Sequence, residues 1–341
     1  MNQTIVHENR SLKPLNTFGL DYVAKFYIEI NSIAALHAIL DDKEFQSKPR
    51  LILGEGSNIL LTQDFNGLVI HNKIKGIKII NENKDHVFIQ ATAGENWHEF
   101  VLYCVKNNYA GVENLSLIPG TVGATPIQNI GAYGAEVKDV IDSVEVVSLK
   151  NGSIEQFSNA DCELGYRDSV FKNALKNQFF VTSVTFRLNK HPIFNTEYGS
   201  IGDTLKKMKV EKLSIKAISD AVIKIRQEKL PDPKIIGNAG SFFKNPIIAQ
   251  PQFDLLQKKF KAMPYFTESD ARVKIPAAWL IEQCGFKGKR MGNIGVHENQ
   301  ALVLVNYGNG SGLALKNLSA EIQQAVAEKF GITLKTEVNI F

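Results

Sequence analysis

Cysteine is scarce in this chain. Cys104, Cys162 and Cys284 are the only three in 341 residues, far apart and without a C-x-x-C pair. This argues against a disulfide framework or a thiolate metal site and fits a reducing, cytoplasmic setting. No basic tract is present either: 39 Lys and Arg are interspersed with 35 Asp and Glu for a net charge of +4. Nucleic acid is therefore not an expected partner, and a modest preference for anionic small molecules is the most the charge supports. The N-terminus, with Glu8 and Arg10 soon after the start, lacks an apolar h-region and a twin-Arg signal. Seven histidines make no H-E-x-x-H and no cluster, so no metal is expected. No period of 20 to 50 residues and no low-complexity tract occurs.

What is present is ordinary globular composition, 44% hydrophobic and 22% charged, in a chain long enough for two or three domains. A helix carrying Ile33, Leu36, Ile39 and Leu40 precedes a short strand at 51–53. Residues 87–93 read as a strand, and Trp97, Phe100, Val101, Cys104 and Val105 form one helix face. Residues 140–149 and 179–188 read as strands, with a tight turn at Asn151-Gly152. An amphipathic helix with Ile215, Ile218, Val222 and Ile225 ends before Pro231 and Pro233, and the main domain boundary is expected just ahead of it. A helix with Pro276 near its first turn, a strand at 301–305 and a helix through Ile322 and Val326 complete the chain.

From Asn114 to Ala135 there is no charged residue, yet the run holds Pro119, Gly120, Gly123, Pro126, Gly131 and Gly134 among Thr121, Thr125, Gln128 and Asn129. The breakers exclude a membrane span. The interleaved Ile118, Val122, Ile127 and Ile130 are unlike a flexible linker. Backbone N–H groups without cationic side chains suit an uncharged aromatic or a phosphate, so the run reads as the bed of a large cofactor.

Two further segments stand out. Gly54-Glu55-Gly56-Ser57-Asn58 fails the dinucleotide fingerprint, because Ile59 stands at the third glycine position. It is either a tight turn offering N–H groups and the Ser57 hydroxyl to a phosphate or a plain turn. In Asn238-Ala239-Gly240-Ser241-Phe242-Phe243-Lys244-Asn245-Pro246, Ala239 and Phe243 occupy the glycine positions of the esterase elbow. An acyl-transfer nucleophile is thereby disfavoured, leaving a ligand-facing serine or an ordinary loop.

Asn16-Thr17-Phe18-Gly19, Gly54-Glu55-Gly56-Ser57-Asn58, the run 119–134, Gly165-Tyr166-Arg167-Asp168-Ser169 and Gly240-Ser241-Phe242-Phe243-Lys244-Asn245-Pro246 together closely resemble, in order and spacing, the MurB family of UDP-N-acetylenolpyruvoylglucosamine reductases. The resemblance implies an α+β fold: a two-lobed FAD-binding domain of the vanillyl-alcohol-oxidase (PCMH) type, then an α+β substrate-binding domain. The lobes are expected at 1–70 and 71–208 and the UDP-sugar domain at 209–341. It implies FAD and NADPH as cofactors, UDP-N-acetylglucosamine enolpyruvate as substrate, one pocket used by NADPH and substrate in turn, and a monomer.

By the same resemblance, Ser241 is similar to the family's proton donor, and Arg167 with Glu337 to the pair that polarises the substrate carboxylate. FAD contacts are implied at Gly54, Glu55, Gly56, Ser57, Asn58, Pro119, Gly120, Thr121, Gly123, Ala124, Gln128, Asn129, Gly131, Ala132, Tyr133 and Tyr166. Lys229 and Asn245 are similar to contacts of the UDP diphosphate, with Lys287 and Gln300 contributing to nucleotide binding. Tyr198 lies in a segment resembling the substrate-covering loop of type I members, the alternative being a core tyrosine at a strand edge.

Overall fold

The computed structural model describes residues 5–341; residues 1–4, the start of the expected first lobe, lie outside the described residues. The chain forms two compact units. One takes the described residues up to Arg10 with 24–55 and 65–228, and the other takes 11–23, 56–64 and 229–341.

In the first unit, Val23–Ile30, Phe65–Asn72 and Arg50–Leu53 are parallel neighbours in that order, with His7–Ser11 outside Val23–Ile30. Parallel pairing requires a crossover, and the helix Ile33–Asp41 supplies it, its first turn capped by the Ser32 side chain accepting from the Ala35 N–H. Leu36, Ile39 and Leu40 then pack with Phe26, Ile28, Ile30, Leu68 and Ile70. A second, antiparallel sheet has the order Ile154–Ser158, Ile141–Ser148, Phe179–Asn189, His86–Thr92 and Ile77–Glu82. Val147 and Phe180 of this sheet enter the core of the first, so the two sheets are joined by shared apolar packing.

The helix Trp97–Lys106 covers the second sheet, and the Phe100 and Phe186 rings lie 4.7 Å apart. Each is wholly buried, a contribution of about 1.5–3 kcal/mol apiece. Trp97 also acts on the site, since its indole N–H donates to the Leu115 carbonyl at 2.9 Å and ties down the start of the charge-free run.

The strand that follows the Asn151-Gly152 turn is Ile154–Ser158, an element without the apolar alternation that marks strands. Its residues are mostly exposed at the sheet edge, where burial does not select side chains. A second difference concerns the boundary expected at 208/209. The helix Ile215–Lys229 buries Ile218, Val222 and Ile225 against Ile201, Leu205 and Tyr133. That packing keeps it with the first unit, and the contact division falls at Glu228/Lys229.

The second unit is built on the sheet Gly237–Ser241, Val303–Asn306, Ile294–Val296 and Arg290–Met291. The helix Gly312–Phe330, capped by Ser311 and closed by left-handed Gly331, lays Leu315, Leu318, Ile322, Val326 and Phe330 onto a core containing Phe242, Phe243 and Leu280. The early segments 11–23 and 56–64 belong here because Phe18, Leu20 and Leu60 are part of the same core. Among the described residues no helix is long and apolar enough to cross a membrane.

Candidate functional site

The strand Arg50–Leu53 delivers the 54–58 turn, and that turn needs its glycines. A Cβ on Gly54 would stand 2.7 Å from the Thr121 Oγ1, so only a hydrogen there lets the turn close onto the charge-free run. Gly56 has φ +62°, and its Cβ would overlap the Leu15 carbonyl oxygen. Gly56→Ala combines left-handed strain with a backbone clash. A loss of about 3 kcal/mol or more is expected in urea unfolding, and a stability equal to that of the parent chain would show that the turn can relax.

Glu55 is a tie between segments. Its carboxylate accepts from the Gly120 N–H at 3.0 Å and the Asn96 Nδ2 at 2.5 Å, so an anion fastens the turn to the run from within the protein. The run itself departs from a simple bed of bare amides. The N–H groups of Val122, Gly123, Ala124 and Thr125 donate to the carbonyls of Glu95, Ala93, Thr121 and Val122. With Gly120 held by Glu55, this half is scaffold and offers little to a ligand through its amides. A Cβ on Gly123 would lie 2.5 Å from that of Ala93, so this glycine serves close packing on the strand end.

Asn129 is likewise a hub of the fold. Wholly buried at φ +43°, it donates through Nδ2 to the Glu136 carboxylate (2.8 Å) and the Gly165 carbonyl (2.9 Å) and accepts from the Lys138 N–H (3.0 Å). Pro119, Ala124 and Gly134 are exposed, while Gln128, Gly131, Ala132 and Tyr133 are half-buried. Leu117, Asn129, Tyr133 and Arg167 all have φ between +43° and +58°. Left-handed backbone at four non-glycine residues in or beside one run marks a region where geometry overrides local preference.

Tyr166 and Arg167 occupy the tip of a two-residue turn closed by paired bonds between Gly165 and Asp168. The Ser169 hydroxyl anchors this turn by donating to the Ile127 carbonyl at 2.6 Å. Arg167 Nη2 donates to the Gly131 carbonyl at 2.6 Å, setting a guanidinium against the run.

Arg226 was not anticipated. It donates through Nε to the Leu117 carbonyl at 3.2 Å and is hydrogen-bonded to Tyr133. Burial pushes its pKa down, and the nearby positive charge of Arg167 acts in the same direction. Two guanidinium groups within electrostatic reach make this side of the run attractive to an anion although the run carries no charge. The signal in the sequence was the spacing Ile218, Val222, Arg226, which puts an arginine on the apolar face of its helix.

Tyr198 is 42% exposed and lies outside any strand, which removes the core-tyrosine alternative. Its segment rests on the run: Asn195 Nδ2 donates to the Gly134 carbonyl at 3.0 Å, and Asn114 Nδ2 donates to the Asn195 carbonyl at 3.0 Å.

In the second unit, a bulge between Asn238 and Ser241 interrupts pairing with Val303–Asn306. Gly240 supplies φ +68°, and the Asn238 Oδ1 accepts from the Gly240 N–H at 2.9 Å. Bulges re-aim side chains, and here half-buried Ser241 leaves the strand's regular alternation while Phe242 and Phe243 remain in the core. The Glu337 N–H donates to the Phe242 carbonyl at 2.8 Å, and Phe243 bridges Thr336. Asn58 Nδ2 donates to the Glu337 carbonyl at 3.3 Å. Ser241, Glu337 and the end of the 54–58 turn are thus held by neighbouring backbone. Strand Asn339–Ile340 pairs with Ile59–Leu60, so Glu337 is firmly anchored.

Other sequence-derived positions have structural duties as well. The Asn245 Oδ1 accepts from the Ala277 N–H at 2.9 Å, capping the helix Ala277–Gln283. Lys287 pairs with Glu282 at 3.0 Å. Gln300 lies in the turn before Val303–Asn306, the strand that pairs with Ser241, and Lys229 ends the helix Ile215–Lys229. Among the described residues no group of three or more His, Cys, Asp or Glu is arranged to hold a metal ion.

A flavin dinucleotide fits these residues: glycines that permit close backbone approach at 54–58, a run without charged side chains, and guanidinium groups beside it. Residues 24–158 match the model of an FAD binding domain, which places the chain among flavoproteins. Residues 232–341 match the UDP-N-acetylenolpyruvoylglucosamine reductase C-terminal domain. The chain is 51% identical over 337 residues to the UDP-N-acetylenolpyruvoylglucosamine reductase of Flavobacterium johnsoniae, covering 98% of this chain and 99% of the relative. It is 46% identical over 327 residues to that of Chromobacterium violaceum, with 96% of each covered. The crystal structure of UDP-N-acetylenolpyruvylglucosamine reductase (MurB) from Thermus caldophilus has the same fold, with a TM-score of 0.68 at 20% identity over 99% of both chains. This chain belongs to the UDP-N-acetylenolpyruvoylglucosamine reductase family. Its α+β fold combines an FAD-binding domain with the reductase C-terminal domain, as the motifs led one to expect.

Proposed function

We infer that this chain is an NADPH-dependent flavoenzyme that reduces UDP-N-acetylglucosamine enolpyruvate to UDP-N-acetylmuramate in peptidoglycan precursor synthesis. Family membership supports the activity. The observation that most supports the assignment of residues is the register setting Glu337 against Phe242, one position from Ser241. Bound FAD supplies a hydride acceptor for NADPH and a hydride donor for the β-carbon of the enolpyruvyl group.

The protein's own task is to balance that hydride. Charge accumulates on the substrate carboxylate and α-carbon, so the site needs a cation or hydrogen-bond donor at the first and a proton for the second. Arg167, with Glu337, polarises the carboxylate. The Ser241 hydroxyl gives its proton to the α-carbon, a step feasible for so weak an acid because the receiving carbon is strongly basic. Exposed Lys229 and Lys287 and partly buried Asn245 are suited to the diphosphate, Gln300 to uracil, and Tyr198 to covering the nucleotide. The buried pairing of the two sheets of the first unit provides a rigid frame for flavin, and the residues from 229 onward form the sugar-nucleotide domain.

Scattered cysteines, two of them buried and all three free, support a cytoplasmic location, and the protein acts as a monomer. Purified protein is expected to be yellow with an oxidised-flavin spectrum, to consume NADPH and the enolpyruvyl sugar nucleotide one for one, and to elute as a single-chain species. A colourless protein that FAD does not reconstitute would refute the assignment.

A further inference from the structure

Three consecutive residues of the charge-free run are tied, in turn, to two helices of the first unit. The Leu115 carbonyl accepts from the Trp97 indole N–H at 2.9 Å, and the Ser116 hydroxyl stands 2.8 Å from that of Ser219. Leu117 is bonded at both ends: its N–H donates to His98 Nδ1 at 3.0 Å, and its carbonyl accepts from Arg226 Nε at 3.2 Å. Trp97 and His98 belong to the helix Trp97–Lys106, Ser219 and Arg226 to the helix Ile215–Lys229.

Leu117 depends on these bonds. Its φ of +58° is left-handed, a conformation that a leucine leaves unless it is held there. The torsions of Leu117 set where its carbonyl points relative to its N–H. With the N–H pinned by His98, the carbonyl meets Arg226. Released, the residue relaxes towards ordinary backbone, the carbonyl turns away, and Arg226 loses the partner that fixes its guanidinium beside the run.

We propose that His98 is a positioning residue for the flavin site: by accepting the Leu117 N–H it fixes the carbonyl that aims Arg226, and so sets the positive charge standing beside the flavin bed. The proposal rests on the flavoenzyme reading above. Reduced flavin carries more negative charge than oxidised flavin, so a cation beside its bed favours the reduced form and raises its potential.

The charge of His98 itself takes no part. A backbone N–H only donates, so Nδ1 is the bare nitrogen and the ring hydrogen sits on Nε2. Burial pushes the His98 pKa below the ordinary range, with Glu99 opposing the shift and Arg226 adding to it. The run brings no charge of its own. The ring is therefore neutral near neutral pH, and a neutral replacement alters the setting of Arg226 without altering the charge of the site.

The test is the reduction potential of FAD in the full-length holoenzyme, with no NADPH or sugar nucleotide present. It is read from flavin absorbance in equilibrium with a reference dye, at a pH above the ordinary histidine range. In His98→Leu the ratio of reduced to oxidised flavin at a given dye potential is expected to fall about tenfold, which is about 30 mV for a two-electron couple. His98→Asn sets an acceptor oxygen where Nδ1 stood and is expected to stay within about twofold of the parent. Arg226→Gln lowers the ratio at least as far as His98→Leu, and in that background His98→Leu adds nothing. A parental potential in His98→Leu or in Arg226→Gln overturns the proposal, and the second can be read even where His98→Leu does not fold. A His98→Leu shift that His98→Asn shares, or one of equal size with and without Arg226, also overturns it. Parent protein that binds no FAD would overturn the flavoenzyme reading itself, and this proposal with it.

Discussion

Ser241→Ala is expected to slow product formation by roughly 10²–10⁴ while sparing flavin reduction. The serine sits after the bulge at Gly240, half-buried, with the aromatics that follow it in the core. Truncating its hydroxyl removes the proposed proton source and little packing. A positioned general acid contributes roughly 10²–10⁴ in rate, and the loss should fall on transfer from reduced enzyme to the enolpyruvyl substrate. Rapid mixing separates the two half-reactions: NADPH bleaches the flavin at a rate within about threefold of the parent enzyme, and substrate then reoxidises it slowly. Ser241→Cys restores part of the second rate, because a thiol is also a proton donor. Equal loss in both half-reactions, or an unchanged second one, removes the serine from the proton-transfer role.

The second large effect is expected at Arg167. Arg167→Lys keeps the charge but loses the planar fork, in which one nitrogen holds the Gly131 carbonyl and another, in the proposed role, addresses a carboxylate. Lysine carries its three donors on one nitrogen and cannot reproduce the spacing of that fork. A loss of about 10²–10³ in the substrate half-reaction is expected, the scale associated with removing one oriented donor from a developing negative charge. NADPH-driven flavin reduction and FAD affinity serve as controls. A variant that transfers to substrate at the parental rate would show that Arg167 serves the fold through Gly131 alone.

Much of this molecule was legible from its residues. The helix face of Trp97, Phe100, Val101 and Cys104, the crossover helix with Leu36, Ile39 and Leu40, and the capped C-terminal helix all lie where their spacing put them. In each, periodicity reports burial directly. The edge strand Ile154–Ser158 escaped because it buries almost nothing. Arg226 escaped because a charged residue on an apolar helix face becomes meaningful only when Tyr133, Leu117 and Arg167 surround it. The allocation of 11–23 and 56–64 to the second unit depends on Phe18 and Leu60 entering a core contributed mostly by residues beyond 236.

The same division runs through the site. Residue type alone marked Gly56 as a place where the backbone turns sharply, since a left-handed φ is a local demand that glycine meets, whereas the demand at Gly54 comes from Thr121, far away in sequence. It also determined that the 114–135 run would present no charge of its own. Only the tertiary structure decided what those features serve. It spent the amides of Gly120 and of Val122 to Thr125 on the scaffold, made Glu55 and Asn129 internal ties, and brought the backbone of Glu337 beside that of Phe242, next to Ser241, across nearly a hundred residues of chain. Hydrogen-bond partners and strand register are non-local: they are settled by which long-range pairing buries the core while satisfying every polar group, and no local pattern carries that information.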